Sequence, residues 1–402
     1  MNEALPHLQP YPFERLAAIR RDIDPPKAKK PIDLSLGEPK HPTPHFIIEA
    51  VSAHLEELAR YAATRGTDEL RQAIVDWLIA RFGLPPTSLS AEENVLPVNG
   101  TREALFAIAQ CVINRTQDHP LVIIPNPFYQ IYEGATLLAG ARPWFVNCLS
   151  ENHLLPDFGS IPEEVWARCQ LVYVCSPNNP TGSILHLAAF TQLLDLAERY
   201  DFIIASDECY SEIYLEESRP PLGLLEAAAK IGRTDYRRCL VFHSLSKRSS
   251  VPGLRSGFVA GDAEVIEKFL RYRTYHGCAM PLYVQAASCA AWRDETHVVE
   301  NRERYREKFE AVLEILSPVI RIDRPEAGFY LWPALPIDDI EFTRGLLAQE
   351  NVTVLPGSFL ARTAEGQNPG HRRVRIALVP PLEDCIEAAK RIRGHLNASS
   401  GQ

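Results

Sequence analysis

Short apolar runs recur through the middle of the chain: Val95 to Val98, Leu121-Val122-Ile123-Ile124, Leu171 to Cys175, Phe202-Ile203-Ile204-Ala205-Ser206 and Cys239-Leu240-Val241-Phe242. Each is continuous rather than alternating, which predicts strands buried on both faces, and the intervening segments are long enough for helices. Together they predict an α/β fold with a mostly parallel sheet flanked by helices. Ligands of such sheets sit beyond the carboxyl ends of the strands. Elsewhere, Thr67 followed by Asp68 and Glu69 is good helix N-terminal chemistry. A second helix is expected to open near Glu103, and the charge-rich Glu300 to Glu310 reads as a long amphipathic helix with a solvated face. Val374-Arg375-Ile376-Ala377 alternates as a half-buried strand does, and the Pro- and Lys-rich stretch Asp24 to Pro31 reads as an extended linker.

The ends of these strands carry the chemistry. Ser244-Leu245-Ser246-Lys247 follows the Cys239 to Phe242 run and is answered by Arg255. A lysine there can condense with an aldehyde, while the Ser244 and Ser246 hydroxyls and a guanidinium fork neutralise a phosphate dianion. That combination implies pyridoxal phosphate. Asp207 closes the Phe202 to Ser206 run, three residues before Tyr210. A buried carboxylate needs a cation, and a protonated pyridine nitrogen is one. Tyr210 would then reach the ring's phenolic oxygen. Ser176-Pro177-Asn178-Asn179-Pro180-Thr181-Gly182 follows a third strand as a tight turn, from which the Asn179 side chain would donate to the same oxygen.

In this order the three motifs resemble those of the fold-type I pyridoxal phosphate enzymes, specifically the class I and II aminotransferases, and the resemblance covers nearly the whole chain. It implies further roles. Gly37, in Leu36-Gly37-Glu38-Pro39, matches a glycine that lets the backbone approach the substrate carboxylate. Tyr61 matches a tyrosine that crosses a homodimer interface to the partner's phosphate. Gly100 and Thr101 open a helix whose N–H groups favour a phosphate. Tyr129 falls where an aromatic ring stacks on the pyridine, and Arg375 matches the arginine that binds the substrate α-carboxylate with paired N–H bonds. The resemblance also implies a small domain formed by residues 1–45 and 291–402 around a large cofactor domain of residues 46–290.

Composition narrows the function classes. A formal net charge of −9 argues against nucleic acid as a partner. Nine cysteines without a Cys-x-x-Cys pair suit reduced thiols in a cytoplasmic protein. Neither an apolar signal core in Met1 to Arg20 nor a membrane-length apolar run is present in the sequence. His41 and His45 have helical metal-site spacing, but Pro42 and Pro44 forbid the helix, and no metal is expected. His243-Ser244 lacks a Gly-x-Ser-x-Gly elbow, so hydrolase chemistry is set aside.

Leu8 to Leu16, Phe242 to Arg255 and Tyr272 to Pro281 resemble the bacterial N-succinyldiaminopimelate aminotransferases of lysine biosynthesis. The small-molecule substrates thereby implied are a succinylated keto acid and glutamate. Arg248, Arg273 and His276 are candidates for the extra carboxylates by position alone. At Cys278-Ala279 the chain departs from relatives that offer a Ser or Thr to the partner's phosphate, so that contact is not carried over. Another amino acid aminotransferase (aspartate, aromatic or alanine type) and a carbon–sulfur lyase share the cofactor motifs. A non-catalytic sensor domain is disfavoured by the absence of a basic extension.

Overall fold

A computed structural model describes residues 1–400, with side chains through Ala398. Its centre is a seven-stranded sheet: β1 (Val95–Val98), β2 (Leu121–Asn126), β3 (Arg142–Asn147), β4 (Cys169–Cys175), β5 (Ile203–Asp207), β6 (Cys239–Ser244) and β7 (Gly257–Gly261). The spatial order is β1-β7-β6-β5-β4-β2-β3. Only β7 runs against the others, pairing antiparallel with both β1 and β6. Side-chain alternation feeds two cores. Ile123, Val172, Val174, Ile204 and Val241 face one layer of helices. Val122, Ile124, Leu171, Tyr173, Ala205 and Leu240 face the other. This double burial is why the strands read as unbroken apolar runs.

The five expected strands are present. β3 and β7 were not anticipated: Arg142-Pro143 breaks the apolar signal of a half-exposed edge strand, and β7 is short and bounded by glycines. The helix α1 (Asp68–Phe82) starts at Thr67, whose hydroxyl accepts from the Leu70 amide at 3.3 Å. The helix α2 spans Thr101–Val112. The stretch Asp24 to Pro31 carries no helix or strand, as expected of a linker, and is tied down where Lys29 meets Glu350 and Lys30 meets Asp384 at 2.7 Å. It leads into Ile32–Asp33, which pairs parallel with Val352–Thr353. The Glu300 to Glu310 segment lies within the helix α3 (Thr296–Leu316), which buries the polar residues Asn301, Arg302 and Lys308 as well as apolar ones. Val374–Ala377 forms the centre of a three-stranded antiparallel sheet with Tyr330–Leu331 and Leu355–Pro356. Among the described residues no helix is long and apolar enough to cross a membrane.

The cap on α1 yields a stability prediction. Thr67→Ala removes the side-chain acceptor of the Leu70 amide in the first turn of α1, and should lower the unfolding free energy by about 1 kcal/mol in urea denaturation.

Candidate active site

Strand register brings the site together. Asp207 ends β5 opposite Cys175 of β4 and Phe242 of β6. Its carboxylate is 5% exposed, accepts from the Tyr132 hydroxyl at 2.7 Å and from the Cys209 amide at 3.3 Å, and has no cation within 4 Å among the described residues. Burial raises its pKa, and the two hydrogen bonds only oppose that rise. An oriented, buried acceptor of this kind fits a protonated ring nitrogen. Tyr132, whose ring stacks on Tyr173 at 4.6 Å, was missed by sequence reasoning. Its signal was its place three residues after Tyr129, close to one helical turn.

Ser244 ends β6 and caps the four-residue helix Leu245–Arg248, accepting from the Ser246 amide at 3.1 Å. That tight turn carries Lys247 to the cavity, where its amine donates to the Gly37 carbonyl at 2.5 Å and lies 5.5 Å from the Phe329 ring centroid. Burial lowers the Lys247 pKa to about 8, with Arg375 and Arg255 adding to the effect. A phosphate cradle forms alongside. Ser244 and Ser246 hydroxyls lie 2.9 Å apart, and Arg255 reaches the Asn99 carbonyl at 3.5 Å beside the start of α2. Gly100, at φ +85°, lies in the left-handed region that favours glycine, and its bare Cα leaves room for the Arg255 guanidinium where it now sits. Thr101 adds a hydroxyl 3.0 Å from Cys209 Sγ.

On the substrate side, Arg375 is 4% exposed. It donates to Asn179 Oδ1 at 3.0 Å and to the Ser35 carbonyl at 2.6 Å, and its guanidinium lies 4.5 Å from the Tyr330 ring centroid. The Arg375 Nε has no partner, which suits an incoming carboxylate. Because Asn179 spends its oxygen on Arg375, its amide N–H groups remain for a ring oxygen. Tyr210 stands 2.9 Å from the Tyr330 hydroxyl. Gly37 packs so tightly that a Cβ would overlap Tyr330.

These groups line one cavity of about 530 Å³. Gly37, Thr101, Tyr129, Asn179, Asp207, Tyr210, Ser244, Ser246, Lys247, Arg255 and Arg375 all contribute, with Gly100 beneath Arg255. Tyr61 does not line it and is fully exposed. The three positional candidates for the distal carboxylates are corrected. Arg248 donates to the Ala291 carbonyl at 2.7 Å and pairs with Glu295, Arg273 is buried against Glu103, and His276 contacts Cys278. A cation that sequence reasoning missed does line the cavity: Arg102, the second residue of α2, donates to the Tyr129 hydroxyl at 2.6 Å and to the Tyr11 hydroxyl at 3.4 Å. Its position next to Thr101 was the available signal.

Residues 29–392 match the family model for aminotransferase class I and II. The chain belongs to this family. It is 32% identical over 397 residues to the LL-diaminopimelate aminotransferase of Desulforudis audaxviator, covering 97% of this chain and 96% of that protein. An aminotransferase crystal structure from Neisseria meningitidis superposes with a TM-score of 0.94 at 52% identity, covering 98% and 99% of the two chains. A probable N-succinyldiaminopimelate aminotransferase from Thermus thermophilus superposes at 0.83 with 26% identity, covering 96% and 98%. The family is pyridoxal phosphate-dependent, and the donors described above fit that group. When bound, it supplies an aldehyde for the lysine amine and a ring that withdraws electrons from the substrate Cα.

The depressed Lys247 pKa has a direct readout. Only the neutral amine attacks an aldehyde, so borohydride-trapped incorporation of pyridoxal phosphate into cofactor-free protein should rise with pH through a midpoint near 8. A midpoint near the ordinary lysine value would contradict the burial effect, and peptide mass spectrometry locates the label.

Proposed function

We propose that this aminotransferase interconverts N-succinyl-2-amino-6-oxopimelate and N-succinyl-LL-2,6-diaminopimelate, with glutamate and 2-oxoglutarate as the paired substrates. The observation that carries this reading is the second guanidinium in the cavity. Arg375 is held by Asn179 and Ser35, whereas Arg102 is held by Tyr129 and Tyr11. Glutamate and the succinylated substrate each present an α-carboxylate and at least one further carboxylate, so both need cations on separate supports. Support also comes from the printed name of the Thermus neighbour and from the Leu8 to Leu16, Phe242 to Arg255 and Tyr272 to Pro281 stretches.

In this reading Arg375 orients the α-carboxylate, and the Lys247 amine would take the Cα proton. Asp207, oriented by Tyr132, would hold the ring proton of bound pyridoxal phosphate. Asn179 and Tyr210 would serve its ring oxygen, and Ser244, Ser246, Arg255 and the amides at Gly100 and Thr101 would hold its phosphate. Tyr129 would pack against the ring. In the same reading the working unit is a homodimer in which Tyr61, fully exposed here, meets the second copy.

A second reading is favoured by the Desulforudis relative, whose name gives an unsuccinylated substrate. Unsuccinylated diaminopimelate carries a distal ammonium instead of an amide, and Glu38 on the cavity wall would receive it.

Comparison of kcat/KM for succinylated and free diaminopimelate decides between the two. The succinylated compound should be preferred, and preference for the free diamine would overturn the proposal in favour of the second reading. Arg102→Leu should lower kcat/KM for glutamate and the succinylated substrate by roughly ten- to a hundredfold, as expected for a lost charged hydrogen bond, while sparing alanine.

A further inference from the structure

Behind the lysine turn, on the side away from the cavity, three polar side chains form a chain with a single direction. His41 Nδ1 lies 2.7 Å from Asn301 Oδ1, and His41 Nε2 lies 2.7 Å from Lys308 Nζ. An amide oxygen only accepts, so Nδ1 carries the imidazole proton and Nε2 accepts from the Lys308 ammonium. The amide of Asn301 is likewise fixed. Its nitrogen donates to the main-chain carbonyls of Lys247 at 3.1 Å and Arg248 at 3.2 Å, while its oxygen also accepts from Ser250 at 3.2 Å. A flipped amide would set oxygen against two carbonyls.

The arrangement is costly to bury. Lys308 is 3% exposed, its other contacts are the Val379 carbonyl at 3.3 Å and the Tyr305 ring, whose centroid is 5.1 Å from the amine, and no carboxylate lies within 4 Å of it among the described residues. Burial lowers its pKa to about 8, and burial also lowers that of His41 to about 4, which keeps the imidazole neutral. Asn301 and Lys308 are seven residues apart on α3, two turns along one face. Between them Tyr305 packs against His41 with its ring tilted, centroids 4.5 Å apart, and stacks on Phe329 at 5.3 Å, the ring over which the Lys247 amine sits. The segment that carries His41 also carries Gly37, whose carbonyl holds that amine. Lys247 is thus gripped at its amine by Gly37 and at its main chain by Asn301.

We propose that Asn301 is a positioning residue for Lys247, and that His41, held by Lys308, acts through Asn301 by fixing its amide. The inference rests on Lys247 being the reactive amine. None of the three side chains lines the cavity, so their effect on the reaction is transmitted through the main chain of the lysine turn.

The test uses the holoenzyme and four variants: Asn301→Ala, His41→Phe, His41→Asn and the double variant Asn301→Ala with His41→Phe. Single-turnover rates, KM, melting temperature and the pH midpoint of the visible absorbance of the lysine-bound cofactor are measured. Asn301→Ala should slow single turnover by roughly ten- to a hundredfold, with KM unchanged and the spectral midpoint displaced. His41→Asn, whose amide still donates to Asn301, should stay near the wild-type rate while His41→Phe does not. The double variant should be no slower than Asn301→Ala alone. A lowered melting temperature with unchanged rate and midpoint would make the network merely structural and overturn the proposal. Losses that multiply in the double variant would overturn the route through Asn301. Should Asn301→Ala fail to fold, Asn301→Asp keeps the volume and replaces the donor by an acceptor, and full activity in that variant would also overturn it. Borohydride labelling separates the two levels: label on another lysine overturns the underlying reading, whereas label on Lys247 with unaffected variants overturns this one alone.

Discussion

The site is organised around one buried carboxylate. Asp207 ends a central strand with its negative charge away from water, oriented by Tyr132 and the Cys209 amide but matched by no protein cation among the described residues. Left in that state a buried anion is expensive, and the cost falls when a cation arrives in the position the two donors define. The ring of the family's cofactor brings such a cation. The other groups of the cavity lie around this point: the lysine turn one strand over, the Asn179 turn on the other side, and the start of α2 beside Arg255.

The sheet makes that arrangement rigid. Because β4, β5 and β6 run parallel in register, their carboxyl ends open onto one cavity, and β7 returns antiparallel so that Arg255 sits beside Gly100. Residues far apart in sequence close the remaining wall. Gly37 comes from the N-terminal segment and Arg375 from the three-stranded sheet, and the two meet across Tyr330. The segment after Gly37 continues to His41 and so to the helix α3, which touches the main chain of the lysine turn.

Much of this was legible in the sequence because the determinants are local. A continuous apolar run says that a strand is buried on both faces, and a strand end carrying Asp207 or Ser244-Leu245-Ser246-Lys247 says where its chemistry points. The edge strand Arg142–Asn147 escaped because half exposure and a proline remove the apolar signal. Tyr132 and Arg102 escaped because their roles depend on which helix faces reach the cavity. Arg248 and Arg273 misled for the opposite reason: they flank the motifs in sequence, but folding commits them to Glu295 and Glu103. Polar burial on α3 was hidden because charge density along a helix normally signals solvent, and only tertiary contacts reveal that Lys308 and Asn301 are inside.

The protonation state of the cofactor ring tests the central claim most directly. Nitrogen-15 NMR of the holoenzyme with labelled pyridoxal phosphate should show a protonated ring nitrogen across the neutral pH range, and Asp207→Asn should return the resonance to that of the unprotonated ring while cofactor remains bound. A ring nitrogen that is unprotonated in the wild-type protein, or one that stays protonated after the substitution, would contradict the account.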